Sequence, residues 1–309
     1  MLKVKSRNYI IITACKNEAD NLPKLIESIE KQTVKPVLWV IVDDGSTDRT
    51  PEIIKQIKEK YDWIQSIRLD GKKRKRGLHV SQVKKKGFDF AVEYCMKNEI
   101  SYEYLCNIDA DIILESTFFE NLITEFEKDS RLGVASGGIY HFKGDRIVHT
   151  HVRESEPAGG NMVIRRKCFE ECGGITPSYA YDSTFNTKAK LRKWKTKLFV
   201  DVIAIEVRDT SSTEGYWKGY TYKGEAAYYL NFNPFYAIIK GIRYLFIKPY
   251  YIGIAYLYGY FNSLIKRTEQ INDKEIKHYF RYVRPREVKQ YYIEILKTKL
   301  KFKINRKKI

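Results

Sequence analysis

Cysteine is scarce in this sequence, and long hydrophobic runs are missing from it. The 309 residues include five cysteines, an odd number that is too small for a disulfide-stabilised scaffold. Cys15 and Cys106 lie in apolar runs, and we expect them to be buried, reduced thiols of a cytosolic protein. Cys168 and Cys172 have helical spacing and no second pair accompanies them, which argues against a zinc site.

Two stretches come nearest to a targeting or membrane segment. Tyr9–Ala14 is apolar but too short for a signal peptide. Pro249–Ile265 has no charged residue, yet it is 17 residues long and contains Gly253 and Gly259. A membrane-spanning helix needs about 20 predominantly apolar residues, so we expect this tyrosine-rich stretch to lie at a membrane interface.

Acidic residues are few near the C-terminus. Residues 216–309 contain 20 Lys/Arg and 6 Asp/Glu, a net +14 of the chain's total of +18, together with 16 of its 24 tyrosines. The first 215 residues contain 36 Lys/Arg and 32 Asp/Glu. This change in composition predicts two domains, a balanced globular one over residues 1–215 and a basic, aromatic, mainly helical extension over residues 216–309.

From Asn8 to about Tyr140, short apolar runs alternate with segments of helical periodicity. The predicted strands are Tyr9–Ile12, Val37–Val42, Trp63–Leu69 and Tyr104–Ile108. Helices are predicted between them, over Leu22–Ile29, from about Thr50, and over Val80–Met96. The alternation predicts an α/β fold with a doubly wound, mostly parallel sheet. Ligands bind such sheets beyond the carboxyl ends of the strands, so a site is expected there.

Pairs of aspartates follow two of the predicted strands. Asp43 and Asp44 follow the second, and Asp109 and Asp111 follow the fourth. A turn and a helix cap account for residues 45–48, but they do not account for two acids at a strand end. Carboxylates in that position can accept hydrogen bonds from a nucleobase or a ribose. Asp109 and Asp111 are alternate residues of an extended segment, so their side chains point the same way and, together with substrate phosphates, suit binding of Mg²⁺ or Mn²⁺. The alternative interpretation is that they are simply a polar strand end.

The motifs together resemble glycosyltransferase family 2. The resemblance runs from Tyr9 to Arg208 and depends on Asn17-Glu18, V-D-D-G-S-T-D at 42–48 and D-A-D at 109–111, in that order. It implies an inverting enzyme with the GT-A fold, using a sugar linked to UDP or GDP, and residues 1–215 as its catalytic domain. The implied nucleotide contacts are Thr13, Ala14, Lys16 and Glu18. The resemblance further implies that Asp44 contacts the base, that Asp109 faces the sugar or ribose, and that Asp111 holds the Mg²⁺ or Mn²⁺.

The acceptor side of the same resemblance lies downstream. The family's small-residue strand matches Gly159, Gly160 and Asn161, for which a tight turn is the alternative. Asp182 matches the family's general base, which takes the proton of the attacking acceptor hydroxyl, and helix capping is its alternative role. Tyr181 replaces the usual acidic neighbour of that base. Short strand-like pieces are expected over Gly137–Phe142, Arg146–Arg153 and Asn161–Ile164, and a helix over Ser183–Trp194.

A basic segment, Lys72–Gly77, follows the third predicted strand. We expect Arg76 to contact the donor diphosphate, and a solvated charge run is the alternative. The resemblance leaves two acceptors open, a hydroxyl of a glycan or lipid-linked saccharide, or polyprenyl phosphate, which would not need a base. A protein that binds RNA through its C-terminal half is an alternative of another class. No RNA-binding signature accompanies the acidic pairs, so we expect no nucleic-acid partner.

The basic, tyrosine-rich extension predicts a location. Lys and Arg beside aromatic rings suit the anionic inner face of the cell membrane, so we expect a cytoplasmic, peripheral protein. The alternative is that these aromatics pack on the catalytic domain or on a second subunit of a homo-oligomer.

Overall fold

The computed structural model describes residues 6–71, 78–143, 146–150, 153–208 and 215–305. Its backbone divides into two compact units, Met1–Asp209 and Thr210–Ile309. The catalytic and accessory roles assigned to residues 1–215 and 216–309 remain predictions.

The first half of the first unit is a parallel βα layer. Its strands are β1 (Tyr9–Cys15), β2 (Leu38–Asp43), β3 (Ile64–Arg68) and β4 (Tyr104–Ile108), and its helices are α1 (Leu22–Glu30), α2 (Thr50–Lys60) and α3 (Leu78–Lys97). The β-branched run of β1 is buried on both sides, as suits a central parallel strand. Strands pair in the order β3-β2-β1-β4, all in parallel, so their carboxyl ends share one edge.

The second half extends this sheet with mixed pairing. It contains β5 (Ile112–Leu114), α4 (Phe118–Lys128), β6 (Leu132–Lys143), β7 (Arg146–His149), β8 (Asn161–Arg165), α5 (Arg166–Glu171), α6 (Tyr181–Leu191) and β9 (Lys195–Glu206). The sheet order is β3-β2-β1-β4-β8-β6-β9-β5, with β7 beside β6. β8 runs antiparallel to both β4 and β6, whereas β6 and β9 are parallel.

Apolar residues cover both faces of the sheet. Side chains of α1, α2 and α4 form the core on one face. Those of α3, α5 and α6 form the core on the other face. The predicted α/β class with a doubly wound, mostly parallel sheet is therefore confirmed, and the C-terminal unit is helical as expected.

The sequence patterns were less reliable beyond residue 110. We did not expect α4 or β9, and the twelve-residue strand β6 was expected only as a short piece over Gly137–Phe142. The register of β6 against β9 shifts between Gly137 and Gly138, and this irregularity breaks the period-two pattern. The predicted strand Arg146–Arg153 ends at His149, and α6 begins at Tyr181 rather than Ser183.

The second unit is built from helices. These are α7 (Tyr216–Tyr229), α8 (Pro234–Tyr244), α9 (Ile252–Ile265), α10 (Lys274–His278), a π-helical turn (Tyr279–Val283) and α11 (Arg284–Asn305). A side chain on Gly224 or Gly259 would strike the backbone of the facing helix, so glycine lets α7 and α9 approach closely. Among the helices of the described residues, none combines the length and the hydropathy that crossing a bilayer demands.

Candidate functional site

The loops after β1 and β2 are joined by hydrogen bonds at the shared edge of the sheet. Asn17 N–H donates to Ser46 Oγ (2.9 Å), and Thr47 N–H donates to Asn17 Oδ1 (2.8 Å). Glu18 N–H donates to Thr50 Oγ1 (2.8 Å). These contacts give Ser46, Thr47 and Thr50 structural roles. Asp43, the last residue of β2, has one as well, because its Oδ1 accepts from Ser46 N–H (2.9 Å) and its Oδ2 lies 3.1 Å from Arg68 Nη1.

Asp44 is buried beneath this pair of loops. Its Oδ2 lies 2.6 Å from His79 Nε2 and 3.5 Å from Lys16 Nζ, whereas its Oδ1 has no hydrogen-bond partner in the described part of the chain. A buried acceptor without a donor costs stability, so a ligand N–H or O–H would satisfy it. Lys16, Asp44 and His79 therefore form a polar group suited to a nucleobase or ribose.

Asp109 follows β4 and faces a buried lysine that sequence reasoning missed. Lys84 Nζ of α3 donates to Asp109 Oδ1 (2.5 Å) and to the Tyr181 hydroxyl (2.8 Å). Burial favours the neutral amine, but the carboxylate and the hydroxyl prevail and raise the pKa of Lys84 above its usual range. The signal was available: Lys84 follows Ser81 by three residues and precedes Phe88 by four, so all three share the buried face of α3.

Gly159 and Gly160 run between two carboxylates. A Cβ on Gly159 would lie 3.1 Å from Asp182 Oδ2, and a Cβ on Gly160 would lie 3.2 Å from Asp109 Oδ2. The Gly159 carbonyl accepts from the Tyr181 hydroxyl (2.7 Å) and from Asn107 Nδ2 (2.6 Å), and the Gly160 carbonyl accepts from Asp109 N–H (2.8 Å). The glycine pair is thus held in place and packs closely against both acids, so a side chain at either position would crowd them.

Asp182 lies in the first turn of α6. Ala180 is the N-cap residue, and no side-chain hydrogen bond caps the helix among the described residues; Asp182 Oδ1 accepts from the adjacent Ser183 N–H (2.7 Å). Burial raises the pKa of Asp182 above its ordinary value, which makes its carboxylate a stronger base. The Tyr181 hydroxyl, directed at Gly159 and Lys84, fills the place of the expected acidic neighbour.

Asp111 belongs to a second charged group, with Glu18 and Arg208. Arg208 Nη2 lies 3.2 Å from Asp111 Oδ2 and also donates to Glu18 Oε1. Burial and the nearby Asp109 raise the pKa of Asp111, and Arg208 opposes them. Sequence reasoning missed Arg208, because its place depends on β9, whose Glu206 pairs with Ile112 beside Asp111.

The metal site inferred from the D-A-D motif is only partly formed by protein groups. Among the described residues, no group of three or more His, Cys, Asp or Glu side chains is placed to hold a metal ion. Mg²⁺ is commonly held by one or two carboxylates together with substrate phosphates. Asp111 offers a carboxylate of this kind, and the residues present therefore fit a metal that is shared with a bound diphosphate.

The remaining predicted site residues are less accessible. Thr13 is fully buried, and its Oγ1 accepts from Trp39 Nε1 (3.0 Å); Ala14 is partly buried in β1. Asn161 is fully buried at the start of β8, and neither polar atom of its amide has a partner in the described ranges. Its contact with the acceptor, and those of Thr13 and Ala14 with the nucleotide, remain predictions. Arg76 lies outside the described residues.

The sequence is similar to those of known proteins. The family model described as Glycosyl transferase family 2 matches residues 10–204. A poly-beta-1,6-N-acetyl-D-glucosamine synthase of Staphylococcus aureus (strain MSSA476) is 28% identical over 126 residues, which are 41% of this chain and 27% of the synthase. The enzyme of the same name from Staphylococcus epidermidis is 25% identical over 142 residues, 44% of this chain and 31% of its own length. The matches thus span about a third or less of these relatives.

Solved structures share the fold. The mannosyltransferase PcManGT from Pyrobaculum calidifontis, in complex with GDP-Man and Mn²⁺, has a TM-score of 0.54 at 17% identity and covers 81% of this chain and 69% of its own. S. aureus TarS 1–349 in complex with UDP-GlcNAc has a TM-score of 0.52 at 14% identity and covers 82% and 73%. At these identities the likeness establishes the GT-A fold alone.

Proposed function

The chain belongs to glycosyl transferase family 2 and is a glycosyltransferase that uses a nucleotide sugar, and from its site we propose an inverting, metal-dependent transfer to a hydroxyl. The acceptor we propose is a saccharide or a lipid-linked saccharide. Inversion needs a base on the acceptor side of the sugar and charge stabilisation on the opposite, diphosphate side. Both requirements concern the residues around the glycine pair.

One observation carries the proposal. Gly159 and Gly160 are consecutive, and the first lies against Asp182 while the second lies against Asp109. A sugar beside this peptide would have a base near one end and donor-binding groups near the other. The raised pKa of Asp182 supports its role as the base, and such help is typically worth about 10²–10⁴-fold in rate.

The donor would be held by residues of the strand ends. We assign the nucleobase or ribose to Asp44, whose Oδ1 is an unpartnered acceptor within the described residues, and the diphosphate side to Asp111 and Arg208. A divalent ion bound at Asp111, Mg²⁺ or Mn²⁺, would neutralise charge on the departing nucleoside diphosphate. Lys84 orients Asp109 through a direct ion pair, and Arg208 forms ion pairs with both Asp111 and Glu18.

The acceptor class follows from the base. A hydroxyl must lose its proton as it attacks, so it needs a general base. A polyprenyl phosphate is already an anion and would not need Asp182 as a base. The position of Asp182 beside Gly159 therefore supports the hydroxyl acceptor. Donors linked to UDP or GDP are supported by the nucleotides that the structural neighbours bind, UDP-GlcNAc in TarS and GDP-Man in PcManGT.

We also propose that the chain works in the cytoplasm at the inner face of the membrane. All five cysteines are free and buried, which supports a reducing compartment. The net charge of +14 over residues 216–309 supports attraction to anionic lipid.

A donor panel tests the proposed reaction. The protein is incubated with UDP- and GDP-linked sugars, with Mn²⁺ or with EDTA, and release of nucleoside diphosphate is measured. We expect release from a restricted set of donors, its loss in EDTA, and a product whose anomeric configuration is opposite to that of the donor by NMR. Retention of configuration, or full activity in EDTA, would contradict the proposal.

A further inference from the structure

Helix α8 turns its large apolar side chains outward. Phe235, Ile239, Ile242 and Phe246, which lies in the turn after the helix, are between 47% and 80% exposed. Their spacing of four, three and four residues places them on one side of the helix. We refer to these four side chains as the α8 face.

The opposite side of α8 combines two small residues with Tyr244, whose ring packs on Tyr256 of α9. Ala237 and Gly241 are buried, and a side chain on Gly241 would collide with Leu257 of α9. Helix α8 therefore packs on α9 through Gly241 and the Tyr244 ring while its Phe and Ile side chains face outward, whereas an ordinary amphipathic helix in a folded protein buries such residues. Because α8 contacts α9 through its other side, the four side chains of the α8 face remain exposed in the part of the unit that the structure describes.

Charge of one sign characterises the stretch of chain that contains the α8 face. Between Glu225 and Glu269 the chain has no acidic residue, and it has five basic ones, Lys240, Arg243, Lys248, Lys266 and Arg267. All except Lys240 are exposed. The exposed rings of Tyr250 and Tyr251 lie in the same stretch of chain.

The combination of exposed apolar side chains, basic residues and tyrosines favours one binding partner for the α8 face. A second copy of the chain would bring like charges together, which opposes association through this face. An anionic bilayer offers acyl chains to the apolar residues, phosphate groups to the cations, and a headgroup layer to the tyrosines. We propose that the α8 face inserts into the interfacial layer of an anionic membrane, an inference that deepens and rests on the inner-face location proposed above.

The structure shifts the proposed contact from the segment that the sequence singled out. Pro249–Ile265 contains α9, whose Ile252, Ala255, Tyr256 and Tyr260 are buried in the unit. Although Ile254 and Tyr258 of α9 are exposed, α9 mainly forms the core on which α8 packs. Helix α8 is thus the principal contact element, and α9 is its support.

Vesicle binding tests the α8 face. The full chain is mixed with vesicles of phosphatidylcholine alone or of phosphatidylcholine with phosphatidylglycerol, and bound protein is separated by flotation. We expect binding to the anionic vesicles, with weak binding to the neutral ones. The double variant Phe235→Ser/Phe246→Ser should weaken this binding by roughly 100-fold, about tenfold for each phenyl group withdrawn from the acyl layer.

A control variant and two further measurements distinguish a loss of membrane binding from a loss of folding or of enzyme activity. Met96→Ser/Phe142→Ser removes two exposed apolar side chains of the first unit and should bind vesicles like the parent. Thermal unfolding should be unchanged in both double variants, because all four side chains are exposed. Donor hydrolysis in solution should also be unchanged, so a failure of the enzyme assignment is seen separately. Parent-like binding by Phe235→Ser/Phe246→Ser, equal binding to neutral vesicles, or a dimer that this variant dissociates would overturn the proposal.

Discussion

Removing the carboxylate of Asp109 should destabilise the first unit through Lys84. The variant Asp109→Asn keeps the side-chain shape but leaves the Lys84 ammonium, 5% exposed, with the Tyr181 hydroxyl as its remaining strong partner. Breaking a buried ion pair by removing one partner typically costs about 3–5 kcal/mol. The Asp109 side chain is 36% exposed, so solvent already weakens the pair, and we expect the lower end, about 3 kcal/mol.

A double-mutant cycle measures this effect. Urea unfolding is followed by tryptophan fluorescence, since three of the four tryptophans lie in the first unit. Lys84→Met together with Asp109→Asn removes both charges at similar volume, and it should recover stability to within about 1 kcal/mol of the parent.

The matched control is an exposed ion pair of the same helix. Lys85 and Asp89 of α3 are largely solvated, so Lys85→Met or Asp89→Asn should cost less than about 1 kcal/mol. An Asp109→Asn variant no less stable than Asp89→Asn, or a double variant with no recovery, would refute the argument that the pair is a buried one.

Three further predictions concern the reaction itself. Asp44→Asn should weaken UDP or GDP binding by roughly 10–100-fold in calorimetry, because it removes a charged acceptor from the base; unchanged affinity would contradict the role of Asp44. Burial raises the pKa of Asp182 above 3.8, so the transfer rate should fall as pH decreases with a midpoint above 3.8, and the free energy of unfolding should fall as pH rises through the same interval. A stability profile in Asp182→Asn identical to that of the parent would count against this assignment. Asp111→Asn should abolish the Mn²⁺-dependent part of thermal stabilisation by the nucleotide, and a preserved Mn²⁺ effect would argue against Asp111 as the ligand.

Local patterns predicted most of the first half of the first unit. β1 is a β-branched run buried on both sides, and β4 begins and ends at the predicted residues, because parallel strands buried on both faces are continuous apolar segments. The helix α4 has Phe118, Leu122 and Phe126 at four-residue spacing, so its signal was present in the sequence. The strand β9 was harder to predict, because its pattern is interrupted where its register against β6 shifts.

The candidate site also contains residues that the sequence indicates and residues that it does not. Asp44 and Asp109 were found because each follows a predicted strand, and strand ends are where such sheets bind ligands. Lys84 could have been found from the period of α3, but its partner Tyr181 is 97 residues away. Arg208 could not have been found from the sequence, because its contact with Asp111 depends on the pairing of β9 with β5.

The most direct test of the account compares Asp182→Asn with the parent. Nucleotide affinity and the rate of sugar transfer are measured on the same preparations, with the exposed Asp62→Asn as the matched control. The account predicts unchanged affinity and a transfer rate lower by at least about 10²-fold, because the hydroxyl loses its base. Transfer at the parent's rate by Asp182→Asn would contradict it.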